Sequence, residues 1–292
     1  MKFFIKSAVA FFLLAPIRVF QFLAGIFGIK YFFQGDVFDR LLEHKTTARL
    51  PDGSTLTFHT PNNLTRFRAL TLLSKEPETL EWINGFPENS VFWDVGANVG
   101  LYSIYAAKVR ACRVYSFEPS IENIYLLNRN IAENALQDRI FAFPFALSEN
   151  NGANVFQHSK IQFGGAINSF GVDYSYDGKP ANFIHKYQVF GFRADDVPEL
   201  FGISRPNYLK IDVDGIEHLI GRGAREILSN LALRSVLIEL NLQFSEQRDE
   251  VIAIFGDCGL FLQHYSHSKD IGDKSAFESV YNHIFTRDRP DS

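Results

Sequence analysis

An excess of basic charge is missing from this chain, and cysteine is scarce. Its 292 residues carry 29 Lys and Arg against 33 Asp and Glu, a net charge of −4. That balance lacks the cationic surplus with which proteins grip a phosphate backbone, so no nucleic-acid partner is expected. The two cysteines, Cys112 and Cys258, lie far apart and form neither a metal-ligand nor a redox pair. Such sparse use fits a reducing, cytoplasmic compartment. No internal repeat and no low-complexity run appears. What remains is a length that buries a large core as one or two domains.

An unbroken membrane span is missing too. Residues 1–35 are rich in Phe, Leu, Ile and Val, yet Lys2, Lys6, Arg18 and Lys30 interrupt them. Arg18, near the centre, would cost about 2.5–3.5 kcal/mol to insert. No small-x-small cleavage site stands near Ala15 or Ala24, which argues against a signal peptide. Residues 1–33 read as an interfacial anchor whose basic side chains snorkel to anionic headgroups. That would place the protein peripherally on the cytoplasmic membrane. A helix packed on the rest of the chain or on a second subunit, and a true span, stay open as alternatives. Oligomeric state is not set by the sequence.

The third glycine of a dinucleotide fingerprint is also absent. VFWDVGANVGLYSIYAAKV (residues 91–109) runs from an apolar strand through a glycine loop into an apolar helix pattern. Strand, loop and helix in that order form the first unit of a doubly wound nucleotide-binding fold. The loop reads Gly96-Ala97-Asn98-Val99-Gly100, not G-x-G-x-x-G, and Asp94 precedes it. An acid there would repel a pyrophosphate. It suits a ligand with positive charge, such as the amino group of S-adenosylmethionine. Gly96 and Gly100 permit a tight turn and close approach of ligand to backbone. RVYSF (residues 113–117) is a second strand ending in Glu118-Pro119. An acid about 20 residues past a glycine loop can accept hydrogen bonds from two ribose hydroxyls.

DVGANVGLYS, VYSFEP and YLKIDVDGIEHLIGRGA (residues 208–224) together resemble the FkbM-type S-adenosylmethionine-dependent methyltransferases. The resemblance covers roughly residues 55–285. Its specific parts are the glycine loop and LKIDVDG, where Asp214 replaces a frequent Glu and keeps the charge. It implies a Rossmann-like class I α/β fold: a mostly parallel seven-stranded sheet with helices on both faces. It also implies S-adenosylmethionine as methyl donor and a small-molecule or glycan acceptor, with the methyl going to a hydroxyl of a carbohydrate or secondary metabolite; a membrane-facing N-terminus would favour a glycolipid. Asp94, Gly96, Asn98, Gly100 and Glu118 are the expected cofactor-binding residues. A non-catalytic, membrane-associated binding or scaffold protein is the alternative reading.

The organisation expected is an N-terminal extension (1–35), a hairpin and helix leading into the core (36–90), and a methyltransferase domain (91–292). Residues 46–60 carry the hairpin around Pro51-Asp52-Gly53-Ser54. Residues 77–83 and 121–135 read as helices, and 139–147 as a third strand broken by Pro144. Residues 151–190 read as strands inserted near the cofactor mouth. Their aromatics, Phe156, Phe163, Phe170, Tyr174, Tyr176, Phe183 and Tyr187, suit sugar stacking or the packing of those strands equally. Residues 208–212 and 235–240 form the next two strands. The closing antiparallel pair, 261–265 and 283–286, follows from the resemblance.

Asp94, Glu118, Asp212 and Glu239 end four strands, where ligands bind in parallel sheets. Methyl transfer needs an acceptor held close and its proton removed. Asp212, at the fourth strand end, is the expected catalytic base. Asp214 and Glu217 also fit as caps on the next helix. No metal is assigned. The competing reading has Mg²⁺ held by Asp212, Glu239 and Asn241, since Glu239 and Asn241 share one strand face. His264 and His267 form an isolated pair without further ligands.

Overall fold

The computed structural model describes residues 30–267 and 278–289, with the helical positions Val19, Phe22, Leu23, Gly25 and Ile26. A central sheet holds seven strands: β3 (Val91–Val95), β4 (Arg113–Phe117), β5 (Ile140–Phe143), β10 (Tyr208–Ile211), β11 (Ser235–Asn241), β12 (Phe261–His267) and β13 (Val280–Thr286). Their order is β12-β13-β11-β10-β3-β4-β5. The five strands from β11 to β5 are parallel, and β13 runs antiparallel to both its neighbours, β11 and β12. This is the expected Rossmann-like methyltransferase sheet. The chain builds outward from β3 to β5, then returns to the other side of β3 at β10. The topological switch point therefore lies between β3 and β10.

Side-chain alternation divides two cores. One face of the sheet presents Trp93, Val95, Phe117, Ile211 and Ile238. Helices α7 (Glu217–Arg222), α8 (Arg225–Ser229) and α9 (Ser245–Asp257) contribute Ile220, Ile227 and Phe255 to that core. The opposite face presents Phe92, Val114 and Ile140. There α3 (Pro77–Asn84), α4 (Leu101–Arg110) and α5 (Ile121–Glu133) supply Ile83, Ile104 and Leu127. Ser120 caps α5 by accepting from the Asn123 amide at 3.3 Å.

An antiparallel hairpin of β1 (Lys45–Arg49) and β2 (Thr55–His59) covers this second core. Amides on the outer edge of β2 do not go unsatisfied. Thr57 and His59 donate to the side-chain oxygens of Asn134 and Asn130 beside α5. Helix α1 (Lys30–Leu42) precedes the hairpin, and α2 (Asn63–Thr71) follows it.

The expected third strand is in fact two. Pro144 lacks an amide donor and ends β5. The chain then leaves the central sheet as β6 (Ala146–Ser148). It joins β7 (Gly152–His158), β8 (Asn168–Phe170) and β9 (His185–Arg193) in a second sheet ordered β6-β9-β7-β8. A short helix α6 (Val197–Phe201) leads back toward β10.

The anchor reading concerns residues 1–33, most of which lie outside the described residues. Among the described residues, no helix is long and apolar enough to cross a membrane.

Candidate functional site

A cleft opens at the carboxyl ends of β3, β4 and β10, beside the switch point. Gly96, Asn98, Glu118, Asp212, Asp214 and Arg68 line it, with Phe117, Phe145, Phe156 and Phe170 among its apolar walls. Four of the six expected site residues meet here: Gly96, Asn98, Glu118 and Asp212.

The loop after β3 sets the geometry. The Gly96 and Ala97 amides both donate to the Phe117 carbonyl, at 2.9 and 3.2 Å. Gly96 has φ +79°, and a Cβ there would sit 1.9 Å from the Asp212 carbonyl oxygen. Only glycine lets the loop lie this close to the end of β10. The Asn98 amide donates to Glu118 Oε2 at 2.7 Å, and the Ser120 amide to Oε1 at 2.8 Å. Burial nevertheless pushes the Glu118 carboxyl up to about 7.

Asp94 and Gly100 do not line the cleft. Gly100 serves helix packing, because a Cβ there would meet Leu127 Cδ1 at 2.3 Å. Asp94 lies on the other face of β3, under α4, and accepts from Ser103 Oγ at 2.5 Å. Its Oδ1 is buried without a hydrogen-bond partner among the described residues. Burial pushes Asp94 upward, opposed chiefly by Lys210.

Lys210 was not anticipated. It pairs in register with Asp94 on the neighbouring parallel strand and is 1% exposed. Its Nζ donates to Asp212 Oδ2 at 2.5 Å and stands 5.1 Å from the centre of the Tyr102 ring. Asp212 Oδ1 has no partner among the described residues, and the side chain is 30% exposed. Glu76 and Glu239 complete the charged layer. Burial opposes ionisation of Glu76, but Lys75 and Lys210 together bring it down to about 2. Burial drives Glu239 well up, and Asp212 adds to the effect. A lysine inside the otherwise apolar strand YLKI was the sequence signal for this layer.

The inserted segment before β8 forms part of the cleft wall. The Gly165 carbonyl accepts from Asn98 Nδ2 at 2.8 Å and Asn123 Nδ2 at 3.1 Å. The Asn168 amide donates to Asp214 Oδ2 at 2.8 Å. Asp214 thus holds this segment as well as starting the turn to α7; burial pushes it up to about 6. Phe156 and Phe170 face each other across β7 and β8 and pack into the core. Glu217 is buried and takes a 2.6 Å bond from Gln247, and His218 is buried near Phe244.

Of the three side chains in the Mg²⁺ reading, Asn241 is held by its neighbours. Asn241 accepts from the Gln243 amide at 2.9 Å and donates to the Tyr176 carbonyl at 3.3 Å. Among the described residues, no group of three His, Cys, Asp or Glu side chains is placed to hold a metal ion. The cleft thus combines apolar walls with three carboxylates, Glu118, Asp212 and Asp214.

The family model described as the methyltransferase FkbM domain matches residues 94–262. The hexuronic acid methyltransferase AglP of Haloferax volcanii is 24% identical over 160 residues, 53% of this chain. The match spans 57% of that relative's length. The crystal structure of a methyltransferase FkbM from Methylobacillus flagellatus aligns with a TM-score of 0.45 at 15% identity, over 77% of this chain and 55% of the other. TrmK of M. capricolum, solved with S-adenosylhomocysteine, aligns at 0.40 and 11% identity, over 73% and 69%.

Proposed function

The chain belongs to the FkbM methyltransferase domain family, and on that premise we propose that it methylates a hydroxyl of a carbohydrate-type acceptor with S-adenosylmethionine as donor. One observation carries the reading. Glu118 and Asp212 enter a single cleft from the ends of β4 and β10, on either side of the Gly96 loop. Donor and acceptor must meet in one cleft, and these two carboxylates reach it from different strands.

The residues fit the donor. Glu118 keeps lone pairs beyond its two amide bonds and can take the ribose hydroxyls. The walls of Phe117, Phe145, Phe156 and Phe170 suit adenine. The carboxylates favour a ligand with net positive charge. S-adenosylmethionine, when bound, supplies an electrophilic methyl group on a sulfonium.

The chain's own work is positioning and proton handling. Lys210 fixes one oxygen of Asp212, which leaves Oδ1 to accept the hydrogen bond of an acceptor hydroxyl. That bond orients the hydroxyl oxygen and takes its proton as the oxygen becomes a nucleophile. The segment around Gly165, tied down by Asn98 and Asn123, limits water in the cleft. Asp94 and Gly100 shape the loop from behind. No metal enters this scheme.

The acceptor class draws support from AglP, whose name specifies hexuronic acid. The test offers methyl-labelled donor with methyl β-D-glucuronide and methyl β-D-glucoside. An O-methyl signal in the proton spectrum of a sugar product supports the reading. Transfer to nitrogen or carbon, or to neither sugar, counts against it.

A further inference from the structure

The cleft is lined by three carboxylates, Glu118, Asp212 and Asp214, and by a single cationic side chain among the described residues, Arg68. Arg68 projects from α2. Its Nε donates to the Gly164 carbonyl at 2.9 Å. Its Nη1 and Nη2 have no hydrogen-bond or ion-pair partner among the described residues. Asp214 feels its charge without forming an ion pair with it.

The guanidinium is held in place by its surroundings. Asn62 caps α2 with a reciprocal capping box and donates through Nδ2 to the Phe163 carbonyl at 2.9 Å. Thr65 and the Arg68 stem pack where a Gly164 side chain would otherwise sit. Helix α2 and residues 163–165 therefore form one wall, and that wall presents the two idle Nη groups.

We propose that Arg68 is a carboxylate-binding site for a ligand in this cleft. A guanidinium with two free nitrogens matches a carboxylate bidentately. Three carboxylates around the same cavity disfavour a dianionic phosphate, whereas a singly charged planar acid needs just one cation. The inference rests on the donor reading above, which offers two sources of that acid: the methionyl carboxylate of the donor, and the carboxylate of a hexuronate acceptor.

Two ligand pairs separate the sources, measured by calorimetry on the wild type, Arg68→Gln and Arg68→Lys. S-adenosylhomocysteine and 5′-methylthioadenosine share the nucleoside and thioether but differ in the amino-acid tail. Methyl β-D-glucuronide and methyl β-D-glucoside, titrated into protein saturated with S-adenosylhomocysteine, differ in the carboxylate. If Arg68 takes the donor's carboxylate, Arg68→Gln lowers affinity for S-adenosylhomocysteine at least about tenfold and leaves methylthioadenosine within about twofold. If it takes the acceptor's, the glucuronide loses affinity and the glucoside does not. Arg68→Lys, which keeps charge but not the fork, falls between wild type and Arg68→Gln. A purely structural role, through the Gly164 bond, would weaken both members of a pair alike. Unchanged ratios in both pairs overturn the proposal. Wild-type protein that ignores S-adenosylhomocysteine but, titrated with the sugars in its absence, prefers the glucuronide through Arg68 defeats the donor reading and leaves this one standing.

Discussion

Lys210 Nζ donates to Asp212 Oδ2 across 2.5 Å, from two residues earlier in the chain. Residues two apart on a strand share a face. The lysine therefore reaches the strand end without leaving the buried layer, where it also neighbours Asp94. One buried cation holds in place the carboxylate that lines the cleft at the end of β10.

Removing that cation leaves Asp94 and Asp212 without their counter-charge, while Lys75 still pairs with Glu76. Lys210→Met is expected to lower unfolding free energy by about 3–5 kcal/mol. Urea denaturation of wild type and variant measures it. A loss below about 1 kcal/mol would mean that the charged layer does not depend on Lys210.

Asp212→Asn keeps shape and removes charge. Turnover should fall at least about 10²-fold. Affinity for S-adenosylhomocysteine should change little, because the proposed ribose contact is at Glu118. Steady-state rates and titration calorimetry on one preparation test both halves. Near wild-type turnover would move the base elsewhere. EDTA should leave activity unchanged.

Glu118 predicts opposite pH trends for stability and binding. Its carboxyl is raised to about 7 by burial, so the folded, ligand-free protein holds a proton that the unfolded chain releases near 4.5. The contribution of this group to stability is complete below about 4.5 and is lost as pH rises through 7. Ribose hydroxyls donate better to the carboxylate, so nucleoside affinity should rise between pH 6 and 8. Glu118→Gln should flatten the binding trend. Dissociation constants for S-adenosylhomocysteine at pH 6, 7 and 8 decide it, and a flat wild-type profile would contradict the assignment.

Gly96→Ala places a Cβ 1.9 Å from the Asp212 carbonyl oxygen at φ +79°. A left-handed conformation costs an alanine about 1–2 kcal/mol, and overpacking typically adds about 1–3. Unfolding free energy should fall by at least about 2 kcal/mol, with loss of nucleoside binding. A variant as stable as wild type would show that the loop does not press on β10.

Much of this was legible in the sequence, for physical reasons. The strand, glycine loop and helix at 91–109 carry their own periodicities, and Glu118 follows from its place at the end of the second strand. The fate of Asp94 was less apparent, although alternation along VFWDV already sets it opposite Trp93 and Val95. Ser103, nine residues on in α4, then claims the carboxylate. Gly100 reads as a ligand glycine until Leu127 of α5 is seen against it. The place of Arg68 in the cleft was out of reach, because it depends on α2 meeting residues 163–165, about a hundred positions away. No local pattern encodes such a contact. The antiparallel pairing of β12 and β13 came from resemblance, and their alternation alone did not require it.

The most direct test is calorimetric titration of S-adenosylhomocysteine into wild type and Glu118→Ala, with near-ultraviolet circular dichroism verifying the fold. Hydrogen bonds to a charged group contribute about 1.5–3 kcal/mol. The predicted result is saturable one-to-one binding by wild type and an affinity at least about tenfold weaker in the folded variant. Equal affinity in the two proteins, or no binding by wild type, would contradict the account.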